Sequence, residues 1–173
     1  MGEPATISPS SPSTGSRVVD ASRILPSLYV GSGLASASDL KELSEEIRLS
    51  ALLSLQTDAD LAVRNLSWER EAGWCRALGI EAHRLPIEDW SAADVIAHLD
   101  DGVEILARLL ENGRVVYLHC TAGVNRSPSI ALGYLVRVRG APLDEALTTL
   151  VQARPEARPY PEVLEILRGN VPR

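Results

Sequence analysis

From residue 24 onward, apolar positions fall alternately into short runs and spaced stripes. The stretch RILPSLYVG, residues 23–31, predicts a short strand with Pro26 marking a sheet edge. SASDLKELSEEIRLS, residues 36–50, predicts a helix with Ser36 and Ser38 as candidate caps. ALLSLQ, residues 51–56, is a compact apolar run, the signature of a buried strand. WEREAGWCRALG predicts a helix ended by Gly79, and IEAHRLPI a further strand. Residues 92–112 then carry Val95, Leu99, Val103, Leu106 and Leu110 three or four apart, one apolar stripe on one long helix. RVVYLH, residues 114–119, is apolar at nearly every position and predicts a central strand covered on both faces. Helical patterns follow over 127–139, over 142–153 with Pro142 in the first turn, and over 161–169. Strands alternate with helices and the last third is helical. That order predicts a single α/β domain with a mostly parallel central sheet and helices on both faces.

The first 21 residues break this pattern. They are rich in Ser, Pro, Thr and Gly and poor in apolar residues, so they bury too little to offset their ordering entropy. They are expected to be a flexible tail ahead of a single folded domain over 22–173. Gly2 and Thr6 match an N-acylation pattern, but no basic cluster follows, and the match reads as chance. A net charge of −6 argues against a nucleic-acid or anionic-membrane partner. With no apolar run long enough to span a bilayer and only two cysteines, Cys75 and Cys120, a reducing cytoplasm is the expected setting. Nothing in the sequence fixes the oligomeric state.

Cys120 changes the picture. It ends the central strand and is followed by the small loop Thr121-Ala122-Gly123-Val124-Asn125, then Arg126 and a helix. Ligands of open α/β sheets bind beyond the carboxyl ends of the strands. Folded into a ring, such a loop aims several backbone N–H groups at one point, which makes an anion nest. The helix start adds its positive end, and Arg126 offers a bidentate grip on phosphate-like oxygens. The same three effects stabilise a thiolate, so Cys120 is expected to be a solvent-reachable nucleophile with an oxyanion seated beside it. Cys75, mid-helix between Trp74 and Arg76, reads instead as a buried structural thiol.

HCTAGVNRSP resembles the His-Cys-x5-Arg-Ser/Thr signature of the cysteine-dependent protein tyrosine phosphatases, and the short chain resembles their dual-specificity branch. The resemblance implies that Cys120 attacks phosphorus, that Arg126 and the loop amides of residues 121–126 bind the phosphoryl oxygens, and that Ser127 assists thiolate release. It implies that His119 shapes the loop, and that neither metal nor cofactor is required. The family carries its general acid about thirty residues before the cysteine, which selects Asp89, with Glu88 and Asp94 as rivals. An acid such as Asp94 in the first turn of a helix can equally be a cap.

For the substrate, the dual-specificity likeness implies phosphorylated Tyr, Ser or Thr of proteins. Glucan phosphatases are also similar: QTDADL, Asp89-Trp90, HCTAG and RPYPEVLEIL look like their motifs, with Trp90 and Tyr160 as candidate sugar-stacking aromatics. Both substrate classes stay open. A non-catalytic phosphate-binding module or a sulfur or arsenate enzyme would use the same loop. Arsenate reduction would need a second thiol, for which only Cys75 is available.

Overall fold

The computed structural model describes residues 19–169. The expected tail over 1–18, with the Gly2 and Thr6 pattern, lies outside them. Residues 19–21 do not belong to a tail, because Ala21 opens the first strand.

The expected single strand at 23–31 is two strands, β1 (Ala21–Leu25) and β2 (Leu28–Gly31), paired antiparallel across Pro26 and Ser27. Proline fixes φ and donates no hydrogen bond, so here it turns the chain instead of sitting in a strand. The remaining strands are β3 (Ala51–Ser54), β4 (Glu81–Arg84) and β5 (Val116–His119). The sheet order is β1-β2-β5-β3-β4, with every pairing except β1–β2 parallel. β5 is therefore central, as its unbroken apolar run predicts.

Side-chain alternation divides the core between the two faces. On one side Leu52 and Tyr117 pack with Leu40 and Leu43 of α1 (Ala37–Ile47) and Cys75 of α3 (Trp68–Ala77). On the other, Leu53, Val116 and Leu118 pack under α5 (Leu99–Glu111), α6 (Arg126–Arg137), α7 (Leu143–Ala153) and α8 (Pro161–Gly169). Ser36 caps α1 by accepting the Asp39 amide; Ser38 does not take that role.

The long helix expected over 92–112 is broken into α4 (Ala92–Ala97) and α5 at His98, whose φ of −105° and ψ of 5° leave the helical region. The His98 ring lies 2.8 Å from the Asp94 carbonyl, which the His98 amide also uses. The stripe ends on buried Leu109, with Leu110 only partly covered. A short helix, α2 (Asp58–Ala62), was not legible as one. It is closed by a reciprocal Thr57–Asp60 capping box.

α5 and α6 approach through glycines. A Cβ on Gly133 would lie 2.9 Å from both Leu99 and Val103, and one on Gly102 would lie 2.8 Å from Ile130. The Gly133→Ile variant is expected to lose about 1–3 kcal/mol to overpacking, despite isoleucine's better helix propensity. Urea unfolding followed by circular dichroism measures this, and unchanged stability would refute the tight packing.

Candidate active site

In the parallel register, Gly31, Ser54 and His119 stand side by side at the carboxyl ends of β2, β3 and β5. Alternation sends the side chains of His119, the last residue of β5, and of Cys120 after it to opposite faces. His119 turns toward α3, where its Nε2 lies 3.2 Å from Oε1 of buried Glu71, though off hydrogen-bond alignment. Its ring stacks on Tyr117 at 5.4 Å, and its Nδ1 lies 3.3 Å from the Cys120 carbonyl oxygen. Cys120 turns the other way, toward α6.

The Cys120 sulfur receives the Gly123 amide and the Ser127 hydroxyl, each at 3.3 Å. It is only 2 % exposed, so it lies on the floor of the loop and not at its rim. A loop that wraps a sulfur in amide donors necessarily covers it, which the expectation of an open thiol overlooked. Gly123 stands at φ 67°, a left-handed conformation that glycine adopts at no steric cost.

The loop carbonyls point outward. Thr121 O accepts the Gly33 amide at 3.1 Å, and Val124 O accepts the Arg158 amide at 2.7 Å. Gly123 O and Ala122 O accept from Arg154 at 2.6 and 3.3 Å. In a trans peptide the N–H opposes the C=O, so the amides that follow these carbonyls face the interior of the ring. The Asn125 side chain is turned away to the Arg158 carbonyl at 2.7 Å, leaving this residue only its backbone to offer the ring.

Arg126 opens α6 and is buried; both its terminal nitrogens are partnered, while its Nε has no hydrogen-bond partner. Nη1 donates to Asp60 Oδ2 at 2.7 Å and to Ile87 O at 2.9 Å. Nη2 donates to Thr121 Oγ1 at 3.1 Å and lies 3.1 Å from Asp89 Oδ2. Burial would lower the Arg126 pKa, but the Asp60 hydrogen bond and the charges of Cys120, Asp60 and Asp89 hold it above its ordinary value. Burial would raise the Asp60 pKa; hydrogen bonds from Arg126 and the Thr57 amide outweigh it and keep the carboxyl below the usual range.

Asp60 had no role in the sequence reading. The signal was present, since Thr57 and Asp60 have capping-box spacing directly after a strand end. The three candidate acids separate by geometry. Asp89 faces Arg126, Asp94 bends back to accept the Glu88 amide at 2.7 Å, and Glu88 is exposed. Trp90 is 85 % exposed at φ 59°, its amide donating to Asp89 Oδ1 at 3.0 Å. The Tyr160 hydroxyl is buried, and its pKa is raised by desolvation and then by the Asp89 charge. Cys75 belongs to the core cluster on the opposite face of the sheet from Cys120, and burial pushes its thiol up to about 12. It is not placed to resolve a bond to Cys120.

A cysteine at a strand end, held by the Gly123 amide and backed by a buried arginine, is an arrangement that can seat an oxyanion against a sulfur. The family described as dual specificity phosphatase, catalytic domain, matches residues 29–169, and the chain belongs to it. It is 28% identical over 136 residues to human dual specificity protein phosphatase 5, covering 79% of this chain and 32% of that one. It is 32% identical over 133 residues to the amyloplastic phosphoglucan phosphatase DSP4 of Castanea sativa, covering 76% and 35% respectively. The chain thus spans about a third of the length of either relative. The solved structure of human DUSP28 shares the fold, with a TM-score of 0.67 at 24% identity over 86% of this chain and 93% of that one.

Because the folded pKa of Asp60 is depressed, its contribution to stability is present above the unfolded value of about 3.9 and is lost as pH falls through the folded value. The Asp60→Asn variant is expected to be less stable than the parent at neutral pH and to lose less stability on acidification. Urea midpoints at about pH 7 and pH 3 test this, and parallel losses in both proteins would refute it.

Proposed function

We propose that this chain is a phosphomonoester hydrolase working through a phosphocysteine intermediate, with phosphorylated Tyr, Ser or Thr of proteins as its substrates. The carrying observation is the Cys120 sulfur held by the Gly123 amide and the Ser127 hydroxyl within a ring of outward carbonyls. The thiolate of Cys120 attacks phosphorus while the bond from phosphorus to the leaving oxygen breaks. The inward amides and Arg126 take the charge on the non-bridging oxygens, which removes the need for a metal. Asp89 gives its proton to the leaving oxygen. In the second step it takes a proton from water, whose oxygen attacks phosphorus; the P–S bond breaks, releasing inorganic phosphate and the thiolate. The Ser127 hydroxyl donates to that departing sulfur.

Arg126 pairs with Asp89. A phosphate dianion competes for the same guanidinium edge and so frees the Asp89 carboxyl to meet the leaving group. His119 supports the loop from below. Two unpaired cysteines fit a reducing compartment.

A second reading, a phosphoglucan substrate, is favoured by Trp90. A bulky residue at positive φ costs on the order of 1–3 kcal/mol, and here that strain holds an indole in solvent beside the proposed acid. A flat aromatic face suits a sugar ring, and Tyr160 lies close enough to feel the Asp89 charge. The likeness to DSP4 agrees with this reading.

Hydrolysis of p-nitrophenyl phosphate is expected to vanish in Cys120→Ser and to fall by roughly 10²-fold or more in Asp89→Asn, but far less in Asp94→Asn. The reverse order of the aspartates would show the wrong acid was chosen. For the substrate, phosphate release from phosphotyrosine and phosphothreonine peptides is expected to exceed that from solubilised phosphoglucan. The opposite order, with a loss of about five- to tenfold on phosphoglucan alone in Trp90→Ala, would select the second reading.

A further inference from the structure

We propose that Arg154 and Asp20 form a positioning pair that sets the phosphate loop from behind and thereby controls the reactivity of Cys120. The inference rests on reading the chain as a cysteine phosphatase.

Arg154 ends α7 and is fully buried. Burying a guanidinium is costly unless its donors are matched, and all five are. Nε donates to Gly123 O at 2.6 Å. Nη1 donates to Asp20 Oδ1 at 2.9 Å and Ser22 Oγ at 3.2 Å. Nη2 donates to Asp20 Oδ2 at 2.8 Å and Ala122 O at 3.3 Å. Glu156 Oε1 adds a carboxylate 3.2 Å from Nη1. One cation therefore ties the start of β1 to two consecutive peptide groups of the phosphate loop.

The peptide joining Ala122 to Gly123 carries the argument. Its carbonyl accepts from Arg154, and its N–H donates to the Cys120 sulfur. Arg154 fixes the plane of that peptide and, by drawing on its oxygen, strengthens the donor at its other end. The next carbonyl, of Gly123, is held in the same grip, which turns the Val124 amide inward. The fit excludes a side chain at Gly123, since a Cβ there would stand 2.5 Å from Arg154 Nη2 and 2.7 Å from Gly31 O. Asp20 completes the fork from the exposed side, with its side chain 49% accessible. Its carboxyl is held below the ordinary range, first by the Arg154 hydrogen bond.

A brace that served stability alone would leave the chemistry of the sulfur unchanged in folded protein. Alkylation of Cys120 by iodoacetamide, read by peptide mass mapping on the full chain, separates the two. In Arg154→Gln the rate at about pH 6 is expected to fall roughly tenfold, while the rate at about pH 9 changes less than about twofold. Arg154→Lys keeps the charge without the fork and is expected to fall between. Asp20→Asn leaves the loop contacts in place but removes the carboxylate that offsets the Arg154 charge, so it is expected to gain about threefold at the lower pH; it decides alone if the Arg154 variants do not fold. Folded variants alkylated like the parent at both pH values would overturn the proposal. p-Nitrophenyl phosphate assays on the same samples keep the two readings apart. An inactive parent chain removes the phosphatase reading and this inference with it, whereas an active parent with unaltered variants removes only the inference.

Discussion

The outward anchoring of the carbonyls around Cys120 is the constraint on which the site depends. Left to itself, a five-residue loop has no reason to turn its amides toward one atom. Here Gly33, Arg154 and Arg158 supply donors on the outer side, so the peptide planes of residues 121–124 are set by contacts remote in sequence. Once those carbonyls are taken, planarity leaves the amides facing inward. A sulfur and an anion can then share the interior at little reorganisation cost.

The charges around the loop are arranged in layers that compensate each other. Arg126 lies inside, bonded to Asp60 below and paired with Asp89 at the mouth. Arg154 lies outside, forked to Asp20. Each buried guanidinium has carboxylate partners, which is the condition under which burying it is tolerable. A molecule of net charge −6 thereby holds two cations beside one anion site without presenting a basic surface. The Glu71 and His119 side chains form another close polar contact on the opposite face of the sheet from Cys120.

Order in the site grades from floor to mouth. Cys120, Ser127 and Arg126 are buried and fixed by β5 and the first turn of α6. Asp89 is about a third exposed, and Trp90 beside it projects into solvent. In the proposed reaction, the rigid part serves the phosphate group common to any phosphomonoester. The exposed part meets whatever carries it, which is where substrates of one reaction class differ.

Much of this was legible in the residues themselves. The all-apolar run before Cys120 identified the central strand, and the spacing from Cys120 to Arg126 and Ser127 identified the loop and the helix that follows. Those features are local, set by alternation, helix periodicity and a few small residues. The break at His98 and the short α2 escaped because each turns on one or two hydrogen bonds that periodicity does not register, and the β1–β2 turn because one proline divides an otherwise continuous strand pattern. Asp60 and Asp20 escaped for a different reason. Their partners, Arg126 and Arg154, are 66 and 134 residues away in the chain, and only the folded sheet brings them together. Sequence alone determined which atoms could react; tertiary packing decided which charges stand around them, because that depends on contacts no local pattern encodes.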